Sequence, residues 1–253
     1  MTLAIKKIFP NFYKFQKNLI NQIPSKSLLW DKKTYNFNFG IRKMINLWKT
    51  NELIQEANIV YKSYNGGDFI DIGAYSGFYS FLLSPKANSF DNFISCEPDL
   101  NIHSELLYHL SILKKNFQNI NFSLVTHPVN NGKDVVIAHD DWGHPCFLDF
   151  DQANIENKEL KKKFKSTTID SLVKSLLLKP TFIKIDTEGA EYDILEGMKD
   201  TLKNFKPKIM LEKHPTMLPK NISLSAINEI LKNNNYKASL INESKLAVRE
   251  IWE

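Results

Sequence analysis

Short apolar runs alternate with amphipathic stretches along most of the chain, and this alternation predicts strands that alternate with helices. The apolar runs typical of buried strands are Asp68–Gly73, Asn92–Cys96, Phe122–Val125, Asp134–Ala138, Thr181–Ile185 and Lys208–Leu211. Apolar residues recur at helical spacing after Asp99 and in Thr167–Leu178, Glu188–Asn204 and Ser223–Asn233. Because helices connect parallel strands, the pattern predicts an α/β fold with a mostly parallel sheet.

The two ends of the chain depart from this alternation. Residues 1–64 are rich in aromatic residues and mostly helical in pattern, with a break at Pro24–Asn38. At the other end, two strand-like runs, Tyr236–Ile241 and Leu246–Trp252, flank a short polar turn and so predict an antiparallel hairpin. We therefore expect a helical N-terminal extension, residues 1–64, in front of an α/β domain that comprises residues 65–253.

Composition and charge narrow the class of protein without identifying it. Hydrophobic residues make up 43% and charged residues 24% of the 253 positions, a balance typical of a globular protein. The net charge of +5 does not indicate a nucleic-acid partner, and the basic run Lys161–Lys163 with Lys165 is typical of a solvated helix end. The two cysteines, Cys96 and Cys146, exclude a disulfide framework and a four-cysteine zinc site, and they favour a reducing, cytoplasmic location.

No segment has the features of a membrane span or a signal peptide, because Lys6 and Lys7 interrupt the apolar stretch at the start. Apolar residues of the N-terminal region recur three or four positions apart, at Ile5, Ile8, Phe12, Phe15 and Leu19. Such a stripe is more typical of a helix packed on its own core than of one on a membrane surface. We expect no membrane span, and the sequence does not indicate an oligomeric state.

The first predicted strand is followed by a turn with the features of a ligand-binding loop. The segment is Asp71-Ile72-Gly73-Ala74-Tyr75-Ser76-Gly77, and its two glycines allow a tight turn and a close approach of the backbone to a ligand. The pattern differs from the dinucleotide-binding fingerprint GxGxxG, because Tyr75 occupies the place of the middle glycine. The carboxylate of Asp71 disfavours a pyrophosphate and favours a cationic or amino-bearing ligand.

A second acidic residue ends the next strand. Glu97, which precedes Pro98, lies where a carboxylate suits the two hydroxyls of a ribose. A ligand that combines a positive charge with a ribose is S-adenosylmethionine. A structural turn with a surface glutamate is the alternative interpretation. The residues predicted to bind the cofactor are Asp71, Gly73, Ala74, Tyr75, Ser76, Gly77, Glu97 and Pro98.

Five segments carry a family resemblance: Phe69–Gly77 (FIDIGAYSG), Cys96-Glu97-Pro98, Thr168–Leu172 (TIDSL), Ile183–Gly197 (IKIDTEGAEYDILEG) and Lys208–His214 (KIMLEKH). They resemble the FkbM-type family of S-adenosylmethionine-dependent methyltransferases. The resemblance covers about residues 60–252, and it implies the Rossmann-like sheet of class I methyltransferases and O-methylation, commonly of sugar or natural-product hydroxyls. Tyr75 and Ser76 depart from the residues common in the family. The first 60 or so residues and the loop 139–151 match nothing in it, so we expect substrate choice to reside there.

Acidic residues also end the later strands. Asp186 follows Thr181–Ile185, and Glu212 and His214 follow Lys208–Leu211. Because the carboxyl ends of parallel strands meet at one edge of a sheet, we expect these side chains near the cofactor. A hydroxyl acceptor must lose its proton before it is methylated. We therefore expect Asp186, Glu212 and His214 to orient and deprotonate the acceptor, directly or through Mg²⁺ or Mn²⁺ bound to these three residues.

Several neighbouring residues have two interpretations each. Glu188 and Glu191 could contribute to the acceptor site, or they could form a helix-start pair that the helix dipole favours or cap a buried amide. His214 could also be an ordinary turn residue in front of a proline. Trp142 and His144, in the polar and aromatic loop 139–151, could stack on the adenine or on a sugar, or they could anchor the loop.

Other functions fit the sequence less well. A short-chain dehydrogenase would need a Tyr-x-x-x-Lys pair after the glycine turn, and the only such spacing, Tyr13/Lys17, precedes it. Amino-methylating nucleic-acid enzymes usually carry Asp/Asn-Pro-Pro-aromatic where this chain has Asp186-Thr187-Glu188-Gly189. Cys146 precedes the fourth strand, whereas the nucleophile of cytosine-C5 methyltransferases follows it. The remaining alternative is a non-catalytic methyltransferase-fold protein that binds a partner through its N-terminal region.

Overall fold

The computed structural model describes residues 27–30, 33–36, 51–139, 145–149 and 163–253. The strands are β1 Ser27–Trp30, β2 Lys33–Asn36, β3 Asp68–Ile72, β4 Asn92–Cys96, β5 Asn121–Val125, β6 Val135–His139, β7 Pro145–Asp149, β8 Lys163–Phe164, β9 Pro180–Ile185, β10 Lys208–Lys213, β11 Ala238–Glu243 and β12 Val248–Trp252. The helices are α1 Asn51–Ser63, α2 Phe78–Leu83, α3 Leu100–Asn116, α4 Ile169–Ser175, α5 Glu191–Glu196, α6 Lys199–Asn204 and α7 Leu224–Asn233. No helix in these ranges is both long and apolar enough to cross a membrane.

Seven strands form the main sheet, in the order β11-β12-β10-β9-β3-β4-β5. The five strands from β10 to β5 run parallel, and β12 pairs antiparallel with both β10 and β11. The predicted α/β fold, the mostly parallel sheet and the C-terminal antiparallel hairpin are confirmed. The chain order moves towards one edge after β3 and towards the other after β9. The switch point therefore lies between these two strands, where sheets of this kind bind ligands at the carboxyl ends.

Side chains that alternate along each strand supply two apolar layers, one on each face of the sheet. Phe69, Phe93 and Phe182 pack on one face with α1, α2 and α3, and Ile70 and Ile183 pack on the other face with α4 to α7. We call these the aromatic face and the aliphatic face. Both faces are covered by helices, which explains why the parallel strands are continuous apolar runs in the sequence.

Helix α1 is part of the aromatic face, although it lies within the predicted N-terminal extension. Its residues Ala57 and Val60 are buried there, and so is Tyr64, which follows the helix. The ring of Tyr64 meets Phe93 and Phe182 edge to face, with centroids 6.0 and 6.1 Å apart. Strands β1 and β2 pair antiparallel within the interval where the sequence showed a break in the helical pattern. The stripe between Ile5 and Leu19 lies outside the described residues.

Two local features differ from the sequence prediction. The loop 139–151 contains β7, which pairs antiparallel with β6 in a separate three-stranded sheet. The predicted helix Glu188–Asn204 is divided into α5 and α6 at Gly197, because a new helix start is stabilised there. The carboxylate of Asp170 accepts the backbone N–H groups of Asp200 and Thr201, which gives α6 its own N-terminal cap.

Candidate active site

The turn after β3 lies directly against the end of β9. The backbone N–H of Asp186 donates to the carbonyl of Ile72 over 3.1 Å. Gly73 has a φ of 77°, and a Cβ atom on it would lie 1.8 Å from the carbonyl oxygen of Asp186. Only glycine fits this position, because it combines a left-handed conformation with a backbone contact. The predicted cofactor turn and the predicted catalytic strand end are therefore adjacent at the switch point.

Asp71 places a carboxylate beneath this turn with no hydrogen-bond partner among the described residues. The residue is fully buried, at 0% exposure, and neither carboxylate oxygen accepts a hydrogen bond from the part of the chain that the structure describes. The nearest cation is Lys184, whose Nζ lies 3.7 Å from Oδ1. Burial raises the pKa of Asp71 to about 6, against the opposing effect of Lys184. A buried carboxylate of this kind is costly alone, and a ligand with a positively charged group would satisfy it.

Glu97 fixes the outer side of the turn. Its Oε2 accepts the backbone N–H of Tyr75 and its Oε1 accepts the backbone N–H of Asp99, each over 2.9 Å. Burial raises the pKa of Glu97, while these two backbone donors lower it. A carboxylate has about four lone-pair directions. Two backbone donors therefore leave room for the hydroxyls of a ribose.

The other predicted cofactor residues line the same turn. Ala74, Ser76, Gly77 and Pro98 are buried, whereas the Tyr75 side chain is exposed on a backbone with φ of 46°. The carbonyl of Ser76 lies 2.6 Å from Nδ1 of His109, a wholly buried histidine on α3 that the sequence analysis did not single out. Burial lowers the pKa of His109 to about 4, so the ring is neutral at neutral pH and stabilises the turn through its contact with Ser76.

Asp186, Glu212 and His214 come together as predicted. One potential ligand atom from each of the three lies within 4.8 Å of the others. Nε2 of His214 lies 3.7 Å from Asp186, 3.5 Å from Glu212 and 3.5 Å from Glu188. Asp186 and Glu188 are partly open to solvent, with side-chain exposures of 29% and 34%, whereas Glu212 and His214 are buried. We call these four residues together with Glu191 the acidic cluster.

Glu191 orients the histidine from the opposite side of the ring. Its Oε1 lies 2.8 Å from Nδ1 of His214 and also accepts the N–H of Gly189. Burial disfavours a charged imidazole, but the bond to Glu191 and the nearby Glu212 raise the pKa of His214 to about 10. A carboxylate on Nδ1 that leaves Nε2 facing oxygen atoms is the arrangement that supports histidine as a metal ligand.

Residues 71–238 match the methyltransferase FkbM domain. This match spans well over half of the chain. The chain belongs to the FkbM methyltransferase family. The resemblance inferred from the sequence is therefore confirmed, and the family is one of S-adenosylmethionine-dependent enzymes.

Three solved structures are similar to this chain. A methyltransferase FkbM from Methylobacillus flagellatus has 18% identity and a TM-score of 0.52, over 75% of this chain and 44% of that one. This chain thus spans less than half of that enzyme's length. Fibrillarin from Methanococcus jannaschii (13% identity, TM-score 0.49) is covered over 81% of its chain and 90% of this one. Magnesium protoporphyrin IX methyltransferase from Synechocystis, solved with bound S-adenosylmethionine, has 9% identity and a TM-score of 0.46, over 95% of its chain and 99% of this one. No curated protein sequence matches this FkbM chain.

The FkbM site fits S-adenosylmethionine at the turn. Asp71 offers an unsatisfied buried carboxylate to the positive charge of the cofactor, and Gly73 keeps the space that a side chain would fill. Several buried side-chain atoms at the turn and at the following strand ends lack a hydrogen-bond partner among the described residues. They are both carboxylate oxygens of Asp71, the hydroxyls of Ser76 and Thr187, and Oε2 of Glu191. Buried polar groups without partners are rare, so their concentration here indicates where a ligand binds.

Lys184 connects the two halves of the FkbM site and was missed by the sequence analysis. Its Nζ lies 3.0 Å from Asp186, donates to the carbonyl of Gly73 over 3.1 Å and faces Asp71. Burial opposes its charge, but Asp186 and Asp71 raise the pKa of Lys184 overall. The signal in the sequence was a lysine inside an otherwise apolar strand, two positions after the core residue Phe182.

A second group of residues was also missed, because its members come from distant parts of the chain. Glu56 on α1, Tyr79 on α2 and Arg249 on β12 meet beside Glu212 on the aromatic face.

Trp142 and His144 lie outside the described residues, so their predicted contact with the substrate stays a prediction. Cys146 lies on β7, in the separate three-stranded sheet.

Proposed function

We propose that this FkbM protein is an S-adenosylmethionine-dependent O-methyltransferase that acts on a hydroxyl of a sugar, a glycan or a related small molecule. The observation that carries the proposal is the contact between Gly73 and Asp186. It places the unsatisfied carboxylate of Asp71 and the acidic cluster on either side of one backbone contact. Methyl transfer needs donor and acceptor in line at about 3–3.5 Å.

The donor side of the crevice binds the cofactor. Asp71 pairs with its positively charged part, and Glu97 accepts hydrogen bonds from its ribose while it holds Tyr75 and Asp99 in place. S-adenosylmethionine supplies a methyl carbon on a sulfonium, which is already an electrophile. The task of the chain is therefore to orient the two reactants and to exclude water from between them.

The acceptor side removes a proton from the hydroxyl. Asp186 is the partly open carboxylate nearest the turn, so it accepts a hydrogen bond from the hydroxyl and orients its oxygen. Asp186 takes the hydroxyl proton as the methyl group is transferred and S-adenosylhomocysteine leaves. The imidazolium of His214, 3.7 Å from Asp186, stabilises the negative charge that develops on the acceptor oxygen, and Glu212, 3.5 Å from Nε2, holds that ring in place. Sugar hydroxyls are weak acids, which is why a cluster of this kind suits them better than a single base does.

The donor set also fits a divalent cation. Two carboxylates and an imidazole nitrogen, backed by Glu188 and by the Glu191–His214 hydrogen bond, match the oxygen and nitrogen ligands of Mg²⁺ and Mn²⁺. Bound there, such a cation would act as a Lewis acid that makes the hydroxyl easier to deprotonate. The proton on Nε2 of His214 would have to leave first, because cation and proton compete for the same nitrogen.

The test begins with cofactor binding and continues with turnover. Isothermal titration with S-adenosylhomocysteine should give binding in the wild type. Incubation with S-adenosylmethionine, Mn²⁺ and a panel of free sugars, glycosides and amino sugars should release S-adenosylhomocysteine, and mass spectrometry should locate a methyl ether. Asp186→Asn and His214→Ala should each lose at least about tenfold in turnover while they bind S-adenosylhomocysteine normally.

The controls separate the parts of the proposal. Full turnover in both variants with intact cofactor binding would show that the acidic cluster is not catalytic. Methylation only of amines would move the acceptor class away from hydroxyls. No cofactor binding at all would favour the non-catalytic alternative, in which a partner binds through the N-terminal region.

A further inference from the structure

A row of charged side chains crosses the aromatic face just before the strand ends. On four strands a buried apolar residue and a charged one lie two positions apart on the same face. On the parallel strands the pairs are Phe69 and Asp71, Phe182 and Lys184, and Met210 and Glu212. On β12, which runs antiparallel, the charged residue comes first in the chain, and the pair is Arg249 and Ile251. In the sheet register Asp71 lies opposite Lys184, and Glu212 lies opposite Arg249. We call these four residues the charged row.

Arg249 is held at every nitrogen of its guanidinium group. Nη2 donates to Oε1 of Glu212, Nη1 donates to Asn242 over 3.1 Å, and Nε lies 3.0 Å from Oε2 of Glu56. A planar guanidinium with three fixed contacts has one orientation. Through this orientation Glu56 determines where Arg249 lies, and Arg249 determines where the Glu212 carboxylate points.

Glu56 is in turn fixed by Tyr79. The hydroxyl of Tyr79 donates to Oε1 of Glu56, and the ring of Tyr79 lies 5.2 Å from Nζ of Lys184. Burial raises the pKa of Glu56 to about 7, while Tyr79 and Arg249 oppose that rise. The contacts thus form a closed circuit. It runs from Lys184 through Tyr79, Glu56 and Arg249 to Glu212, and returns through His214 and Asp186 to Lys184.

Stability alone does not account for these charges. On the same face, two residues before Glu212, strand β10 pairs with β12 through the apolar side chains of Met210 and Ile251. Replacing a buried ion pair by apolar residues of similar volume is often neutral or stabilising. The Glu212–Arg249 pair lies at the end of the sheet, where Glu212 also faces His214. We therefore attribute the role of this pair to the acidic cluster.

We propose that Glu56 and Arg249 are positioning residues that hold Glu212 in the orientation that the acceptor and cation site requires. Both lie outside residues 71–238, the part that matches the FkbM domain. The expected effect on catalysis rests on the proposed function. The action of Glu56 on Glu212 through Arg249 does not, and it can be tested separately.

The test uses the full chain saturated with S-adenosylhomocysteine and measures Mn²⁺ affinity by electron paramagnetic resonance titration. Glu56→Gln keeps the partner of Tyr79 but removes the anionic contact to Arg249, and it should weaken Mn²⁺ binding about 10–100-fold. Arg249→Gln should weaken it to a similar extent, and the double variant should lose no more than Arg249→Gln alone. Affinity for S-adenosylhomocysteine should stay within about threefold, since neither residue contacts the turn.

The matched control is Glu250→Gln on the same strand. Glu250 also forms an ion pair with a buried β10 lysine, Lys213, over 2.7 Å, but on the aliphatic face. This variant should leave Mn²⁺ affinity unchanged. Losses that add in the double variant would overturn the inference, because Glu56 would then not act through Arg249. If Glu56→Gln does not fold, Arg249→Lys keeps the charge, loses the fork geometry and should still weaken Mn²⁺ binding.

A second readout does not depend on a cation. The ring nitrogens of His214, identified in NMR spectra by their loss in His214→Gln, should shift in Glu56→Gln and not in Glu250→Gln. If the wild type binds no Mn²⁺ but these resonances move, the cation part of the proposed function is wrong and the positioning role stands. If neither the resonances nor the Mn²⁺ affinity changes in Glu56→Gln, the positioning role is wrong.

Discussion

Oε1 of Glu191 lies 2.8 Å from Nδ1 of His214, and the Glu191 side chain is wholly buried. The ring nitrogen on the other side faces Asp186, Glu188 and Glu212. Because the Nδ1 contact fixes both the ring plane and the position of the proton, Glu191 controls what Nε2 can bind. The KIDTEGAE segment thus contributes residues on both sides of the His214 ring, Asp186 near Nε2 and Glu191 at Nδ1.

Glu191→Gln removes the charge of this contact and keeps its size. We expect Mn²⁺ affinity, measured by titration calorimetry, to fall about 10–100-fold, because the ring loses the anion that orients it. Glu196→Gln on the same helix is the control, since Glu196 pairs with the exposed Lys199 away from the site. Equal affinities in the two variants would mean that Glu191 serves the fold alone.

Asp71 predicts a pH dependence for cofactor binding. Burial raises its pKa to about 6, so below that pH the ligand-free protein holds a neutral carboxyl. A positively charged ligand needs the ionised form, so affinity should fall as pH drops, approaching about tenfold per unit below pH 6, and should be flat just above 7. Calorimetric titration between pH 5 and 8 with S-adenosylhomocysteine, which lacks the sulfonium but keeps the positively charged amino group of the cofactor, would measure this. In Asp71→Asn the affinity should be lower, and its dependence on pH should vanish. A pH dependence that persists in this variant would have to come from another titrating group.

Gly73→Ala should damage the site more than a conformational penalty explains. Gly132 also has a positive φ, but a Cβ there would be 3.5 Å from its nearest neighbour, Thr168, whereas at Gly73 it would collide with backbone. We expect Gly132→Ala to cost about 1–2 kcal/mol of unfolding free energy. Gly73→Ala should cost about 1–3 kcal/mol more. Thermal unfolding compares the two, and equal melting temperatures would contradict the close approach of Gly73 to Asp186.

Lys184→Met should destabilise the protein strongly at neutral pH. The variant leaves Asp71 and Asp186 without their shared cation, and breaking a buried ion pair costs about 3–5 kcal/mol. Urea unfolding at pH 7 measures the loss. The double variant Lys184→Met/Asp71→Asn should recover part of it, because one of the two uncompensated charges is gone. No recovery would indicate that Lys184 matters through its contact with Tyr79 instead.

The sequence predicted the parts of the site that lie next to each other along a strand end or a turn. Asp71 with Gly73, and Asp186 with Glu188, were identified in this way, because parallel strands bring their carboxyl ends to one edge. The meeting of Asp186, Glu212 and His214 followed from the same rule. Their chemical roles stay predictions.

The sequence could not predict contacts that depend on which strands become neighbours. Glu56 and Arg249 lie near opposite ends of the chain, and they meet only because β12 inserts beside β10 and α1 covers that face. The division of the helix at Gly197 was missed for a similar reason, since its cause is the distant carboxylate of Asp170. In each case the deciding partner is far away in sequence.

The position of β12 has a consequence for how the protein is made. β11 is synthesised before β12 but joins the sheet only through it, because the strand order is β11-β12-β10. Until Trp252 has left the ribosome, β10 therefore presents an unpaired apolar edge of the kind that recruits other chains. Arg249 lies on that same late strand, so the pairing of β12 with β10 both covers this edge and brings the Glu212 carboxylate its arginine partner.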